Sequence, residues 1–281
     1  MANERAKYRT GELCRGVVIA RSTFYAWRRR PASRRAMEDA VLIKEIERIH
    51  AETGGAYGSP RMLADLRELG FGVGQRRVER LMRTHRIRAR QFRRRGMPGS
   101  RKASMLAPNL LGRRFSVERL NAVWAGDITQ VWTSEGWLYV AAVMDLCSRR
   151  VVGWTTSDRP QQTLVIDALR HALADRLPEN GLISHTDQGS QYGSIRYQHF
   201  LKRHGVRCSM SRRGTPADNA VVESFFSSMK RERLSGVRFE TREAARRAIF
   251  EYVEVFYNRR RRHSHVGGIS PVEFERRKNG A

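Results

Sequence analysis

The chain is short of cysteine, of long apolar runs and, through its first third, of acidic residues. Each shortage removes a class of explanation. Its three cysteines, Cys14, Cys147 and Cys208, lie far apart, form no CxxC pair and supply neither a disulfide framework nor a zinc-ligand set, which fits a reduced, cytosolic setting. No segment approaches the ~20 apolar residues that cross a bilayer. The opening MANERAKYRT lacks the apolar stretch of a signal peptide. There is no internal repeat. Lysine is scarce as well, since 48 of the 54 basic side chains are arginine.

What is present is positive charge. The 281 residues carry a formal charge of +26 and a sequence pI near 11.3, an excess that repels itself in a compact fold and favours a polyanion, nucleic acid first. A membrane surface is disfavoured because the arginine-rich segments are not coupled to one strongly apolar face. Residues 1–115 hold 28 basic and 10 acidic side chains, residues 116–230 hold 13 and 11, and residues 231–281 hold 13 and 7. A nearly neutral middle is thus flanked by two basic arms, as expected if the arms hold a polyanion and the middle does chemistry. The 40% hydrophobic content allows a real core, and the length allows two or three domains.

Up to residue 38, SRSTFYAWRRRP predicts a short helix capped by Ser22, holding Phe24, Tyr25 and Trp27 and stopped by Pro31. Val41, Leu42, Ile46 and Ile49 recur at a helical period. Met62, Leu63, Leu66 and Leu69 mark one further helix and Val78, Leu81 and Met82 another, with Gly70, Gly72 and Gly74 between them. This suits a helix-turn-helix, although a small bundle with a solvated arginine face fits the same pattern. Sequence-specific DNA contact would come from the second helix, around Gln75, Arg76, Arg77 and Arg80. QFRRRGMPGSRKAS (91–104) reads as an exposed linker.

From residue 120 the pattern changes to short runs rich in Val, Trp and Tyr. NAVWAGDITQVW, GWLYVAAVMDLC and RRVVGWTT predict three successive antiparallel strands. A helix (QTLVIDALRHALADRL), a strand running into a polar loop (GLISHTDQGSQY), a helix, a short strand (VRCSMS) and a helix (DNAVVESFFSSMKRERL) complete a mixed α/β layer fold around one sheet. The final helix runs into Arg259, Arg260, Arg261 and Arg262, whose planar, weakly hydrated guanidinium groups suit a phosphate backbone.

Three carboxylates stand out. Asp127 falls inside the first strand among Trp124, Ala125, Ile128 and Val131, where an acid is costly unless something positive neutralises it. Asp187 follows an apolar strand at its carboxyl end. Glu223 lies in a helix between Val221, Val222 and Phe225, Phe226. Three convergent carboxylates suit a hard divalent cation, and two such ions about 3.5–4 Å apart drive phosphoryl transfer. Asp145, at the turn after the second strand, is assigned instead to pairing with Arg149 or Arg150. Lys230, two helical turns beyond Glu223, shares nearly the same face and could hold a phosphate. Asn219, one turn before Glu223, is a candidate DNA contact. His185 and Gln188 flank Asp187 and could orient it, and His185 could equally be an ordinary strand residue.

Between Asp187 and Glu223 stand 35 residues, and Asp127 lies 60 positions before Asp187. With the local motifs WAGDIT, HTDQGSQY, GTPADNAVVESFFSSMKRE and YNRRRRHSHVGGISPVEFE, this pattern resembles the DDE transposases of the retroviral-integrase type. More narrowly, it resembles the OrfB transposase of the family named after insertion sequence three. AYGSPRMLADL and RRVERLMR resemble that family's helix-turn-helix segment and SRSTFYAWRRR its opening, so the resemblance runs over roughly residues 11–275.

The resemblance implies an α/β, RNase H-like catalytic core over 117–235, a mixed five-stranded sheet with helices. Before it come an N-terminal basic helical segment (1–38), a helix-turn-helix-like DNA-binding domain (39–100) and a linker (101–116), and after it a C-terminal helix and basic tail (236–281). It also implies that Asp127, Asp187 and Glu223 bind Mg2+ or Mn2+, two ions in all. Water, then a freed DNA 3′-hydroxyl, would attack phosphodiesters in line with no covalent protein–DNA intermediate. The expected partners are the element's terminal inverted repeats, target DNA, further copies of this chain on DNA, and the upstream-frame OrfA product. The expected place is the bacterial cytoplasm, at the nucleoid.

Two departures bear on this. No zinc-binding His/Cys module of the retroviral kind is present. The chain also opens almost directly on the downstream segment, with no heptad zipper, which keeps alive a protein that is inactive alone or that regulates by binding the element ends. A nuclease that cuts without joining is disfavoured by the basic arms. A tyrosine recombinase would have to use Tyr257, the only late candidate nucleophile.

Overall fold

The computed structural model describes residues 10–29, 33–90, 107–212 and 215–280. The chain opens with helices α1 (Thr10–Gly16) and α2 (Arg21–Arg29). Ser22, expected as a cap, instead lies within the first turn of α2, and of the helix's three aromatics only Phe24 is buried. Helix α3 (Arg34–Glu52) starts on Ser33, whose hydroxyl accepts from the Ala36 amide. The expected boundary at residue 38 therefore falls inside one continuous helix. Helices α4 (Ser59–Glu68) and α5 (Gln75–Thr84) follow. The turn between them needs Gly70 at φ +86°, a backbone state that side chains disfavour. The three helices α3 to α5 bury Leu42, Ile46, Met62, Leu66, Val78 and Leu81 in a cluster of their own. The expected linker at 91–104 lies outside the described residues.

Residues 107–116, also expected as linker, are laid onto the next unit. Leu111 is buried in its core, and the Leu110 amide donates to Ser209 Oγ at 2.9 Å. Strands β1 (Val123–Thr133), β2 (Gly136–Asp145) and β3 (Val151–Ser157) form an antiparallel meander, as the alternating runs predicted. Helix α6 (Gln162–Arg176), β4 (Ile183–Thr186), α7 (Ile195–Arg203) and β5 (Arg207–Met210) add two parallel strands on the far side of β1. The sheet order is β3-β2-β1-β4-β5.

Helix α8 (Ala220–Met229) runs on into a π-helical turn (Lys230–Leu234), and α9 (Arg242–Phe250) into another (Glu251–Tyr257). The chain closes with α10 (Pro271–Asn279), capped by Ser270. One face of the sheet packs on α6 and α7 around Trp124, Val143, Leu164 and Leu169. Here Gly153 has no alternative, because a Cβ would stand 2.3 Å from the Ala168 carbonyl. The other face packs on α8 and α9, where Val222, Phe225, Ile249 and Tyr252 meet Ala125, Leu138 and Ala142. The segment after residue 235 is thus built into the core rather than appended to it. Phe256 packs against both this core and the α3–α5 cluster. Among the described residues no helix is long and apolar enough to cross a membrane.

Candidate active site

The parallel pairing of β1 with β4 sets Trp124 beside Ser184 and Ala125 beside His185. Continued by two residues, that register brings Asp187, just past the carboxyl end of β4, level with Asp127 in the middle of β1. Alternation puts Asp127 on the face shared by Ala125, opposite Ala142, under α8. Glu223 sits in the first turn of α8. Asn219, just before that helix, donates from Nδ2 to the Gly126 carbonyl at 3.1 Å, which ties the helix start to the residue preceding Asp127.

The electrostatics show how close these groups are. Asp127 is half-buried, and its carboxyl is pushed up to about 8 by burial first and then by the charges of Asp187 and Glu223, with the Ile128 amide and Lys230 acting in the opposite sense. Asp187 is raised by loss of hydration, against a hydrogen bond from the Gly189 amide at 2.9 Å. Lys230 is lowered by burial, while Asp127 acts to raise it. Burial and neighbouring acids thus disfavour the ionised form of Asp127, a state that a bound cation relieves. The corner's donors are all oxygens, and the buried Asn219 Oδ1 has no hydrogen-bond partner, so the chemistry fits a hard divalent ion. The ligand cage is not ready-made. Among the described residues no three His, Cys, Asp or Glu side chains stand close enough together to hold an ion.

The surroundings differ from expectation at several points. His185 does not orient Asp187. It is fully buried, its Nε2 donates to the Asp218 carbonyl at 2.9 Å, and its Nδ1 therefore accepts from Ser209 Oγ at 2.9 Å. Burial lowers its pKa, so it stays neutral and fastens β4 and β5 to the turn leading into α8. Asp145 pairs with neither arginine side chain. It accepts from the amides of Asn121, Cys147 and Ser148 and so caps the turn after β2.

Two contributors were not singled out from the sequence. Asp218 is clamped by Arg212 at 3.0 Å and Arg113 at 2.7 Å, which hold its carboxyl well below the usual range. Tyr192, fully buried, has its pKa raised by desolvation and then by Asp127, with Asp187 adding to it. The motif HTDQGSQY contained that tyrosine, but nothing in its spacing marked it. Tyr257 is buried in the core against Phe225 and His263, no place for a nucleophile.

The expected DNA-contacting arginines divide into two groups. Arg261 is buried, and its Nε and Nη2 each meet Glu232 at 2.7 Å. Arg262 pairs with Asp65 and Glu68 of α4, and Arg260 with Glu52 of α3 at 2.9 Å. Tyr57 Oη donates to the Arg260 carbonyl and accepts from the Arg262 amide. Arg260 and Arg262 thus fasten the helical segment to the core, and the phosphate-gripping role expected for Arg261 is corrected, because its charge is consumed inside the core by Glu232. Arg259 is exposed. On α5, Arg77 and Arg80 pair with Asp39 at 2.7 and 2.5 Å, whereas Gln75 and Arg76 are exposed.

Comparison with known proteins bears on the whole chain. Residues 117–216 and 223–278 match integrase core domain families, and residues 37–96 match an HTH-like domain. The transposase for insertion sequence element IS904 of Lactococcus lactis is 42% identical over 249 residues, covering 88% of this chain and 98% of that protein. The transposase InsF for insertion sequence IS3A of Escherichia coli is 42% identical over 279 residues, covering 96% and 95%. A chain of the simian T-cell lymphotropic virus intasome aligns at 17% identity and a TM-score of 0.45, over 82% of this chain and 73% of its own. With identity of this extent running through both the helical segment and the α/β, RNase H-like core, the chain belongs to the insertion-sequence transposases of the family named after insertion sequence three.

Proposed function

We propose that this transposase cuts and joins DNA at the ends of its element by metal-dependent phosphoryl transfer at Asp127, Asp187 and Glu223. The observation that carries the reading is the Asp127 carboxyl, raised to about 8 by its burial and by the other two acids. A buried carboxyl raised by two neighbouring acids favours something positive beside it. Two Mg2+ or Mn2+ ions held there would activate the attacking oxygen and stabilise the leaving one.

The chain's own residues supply the rest. Lys230, close enough to feel Asp127, is placed to hold a phosphate beside the carboxylates. Asn219 fixes the start of α8 against β1 and offers its unpaired Oδ1 to the site. His185 and the clamped Asp218 hold the turn that presents Glu223. No Ser or Tyr nucleophile is required.

In this reading residues 39–100 bind the terminal inverted repeats, with Arg76 at the outer face of α5 and Arg77 and Arg80 available once their acidic neighbours give way to phosphate. Arg259 contributes a backbone contact. Two ends must be joined, so copies of the chain assemble on DNA, with the OrfA product as a further partner, in the cytoplasm at the nucleoid. The rival reading is a regulator that binds the element ends without cutting.

A cleavage-and-joining assay with Mg2+, on DNA carrying the terminal repeats, decides between them. Joined product from the wild type and none from Glu223→Gln supports the catalytic reading. Binding without cleavage by either leaves the regulator.

A further inference from the structure

Across α8 from the carboxylate corner lies a second cleft, of about 410 Å³. Its walls include Ser224 on α8, Arg231 in the turn beyond it, Arg149 from the loop after β2, Arg61 from α4, and Ser264 with His265. Among the described residues no aspartate or glutamate lines it. The cleft is therefore cationic, and while Arg61 and Arg261 on its wall pair with Glu232, Arg149 and Arg231 form no ion pair among the described residues, Arg149 feeling Asp145 only at longer range.

Arg149 is the more telling of the two. It is only 7% exposed. Its Nη2 donates to the Phe115 carbonyl at 2.9 Å and meets the His265 ring at 3.1 Å, while its buried Nη1 has no hydrogen-bond partner. Among the described residues Arg149 forms no ion pair. A buried guanidinium with a donor unmet is costly, and it calls for an acceptor from water, an ion or a ligand. Arg231 is exposed, bonded only to the Ser227 carbonyl at 3.3 Å, and likewise forms no ion pair among the described residues. Ser224 and Ser264 are exposed and add hydroxyl donors along the same opening. His265 is held neutral by burial and by Arg149, so it adds a ring nitrogen without further charge.

Forked donors, hydroxyls and an absence of acids match an anion with several oxygens. We infer that this cleft takes a backbone phosphate of DNA, on a strand that leaves the carboxylate corner and passes over α8. The inference rests on the DNA-processing reading above and adds a second anchoring point, one that fixes the strand's direction across the site rather than performing chemistry.

The test is equilibrium binding without metal, on duplexes carrying the terminal repeat in which single phosphates are replaced by neutral methylphosphonates. For the wild type, neutralising one or two adjacent positions should weaken binding several-fold more than the rest. In Arg231→Gln that position-specific penalty should vanish, and the slope of log affinity against log salt should fall by about one. Ser264→Glu, an exposed change that places a negative charge at the opening, should weaken binding by about tenfold. Identical penalty profiles in wild type and Arg231→Gln, or unchanged binding by Ser264→Glu, would overturn the inference. Because no metal is present, these results stand apart from the joining assay. A protein that joins DNA without cleft dependence refutes only the cleft, and one that shows cleft dependence but never joins refutes only the catalytic reading.

Discussion

Asp127 on β1 and Glu232 on the π-helical extension of α8 both lose hydration in the fold, yet their neighbours act on them in opposite ways. Burial acts to raise the pKa of Glu232, but Arg261, the Tyr252 hydroxyl at 2.8 Å and Arg61 outweigh it and hold the carboxyl below its usual range. At Asp127 burial, and then the charges of Asp187 and Glu223, push the carboxyl the other way, up to about 8. A carboxylate surrounded by arginine is a fastener. A carboxylate beside other carboxylates is held in readiness for a cation. The contrast separates architecture from chemistry in a chain where arginine is everywhere and its presence alone says little.

The comparison breaks first at Glu232. Replacing it with alanine strands Arg261 in the core, between Tyr257 and His263, and should cost about 3–5 kcal/mol in urea denaturation. A loss below ~1 kcal/mol would show that the pair is not a structural fastener.

Asp218 sharpens the same point through pH. Its folded pKa is depressed below the ordinary 3.8 by Arg212 and Arg113, so its contribution is present above about pH 4 and is lost as acid protonates it. Asp218→Asn should therefore be less stable than wild type at neutral pH, and the gap should narrow as pH falls toward 2 in thermal melts. A gap independent of pH would exclude the ion pairs as its source.

Tyr57→Phe tests the docking of the helical segment alone. Losing the hydroxyl that bridges the Arg260 carbonyl and the Arg262 amide should cost about 1 kcal/mol. Hydrogen exchange should loosen at residues 57–68 with little change in β1 and β2.

Much of this was legible in the sequence where a local pattern settles it. The alternation in WLYVAAVM and the helical period in QTLVIDALRHAL report burial directly, so the order of strands and helices followed. Asp127 stood out because an acid inside an apolar strand contradicts its neighbours. The run of four arginines was less legible. Arg259 to Arg262 read as one solvated basic patch, but Arg261 finds its partner 29 residues upstream and Arg262 finds its own in α4, and neither contact leaves a trace in local spacing. Asp145 was assigned to a side-chain partner because the competing amides of its own turn are invisible until the turn is built. Residues 107–116 looked like linker because Leu111 is their only deeply buried side chain.

The central claim is that poorly compensated carboxylates mark the chemistry, and Asp127→Asn tests it most directly. The substitution keeps the oxygen that accepts from the Ile128 amide and removes the capacity to ionise and bind a cation as a carboxylate. Measured together in metal-free melts and in the joining assay, the variant should be as stable as wild type or more so, while joining falls at least roughly 100-fold. A variant that loses stability yet joins DNA at the wild-type rate would contradict the account.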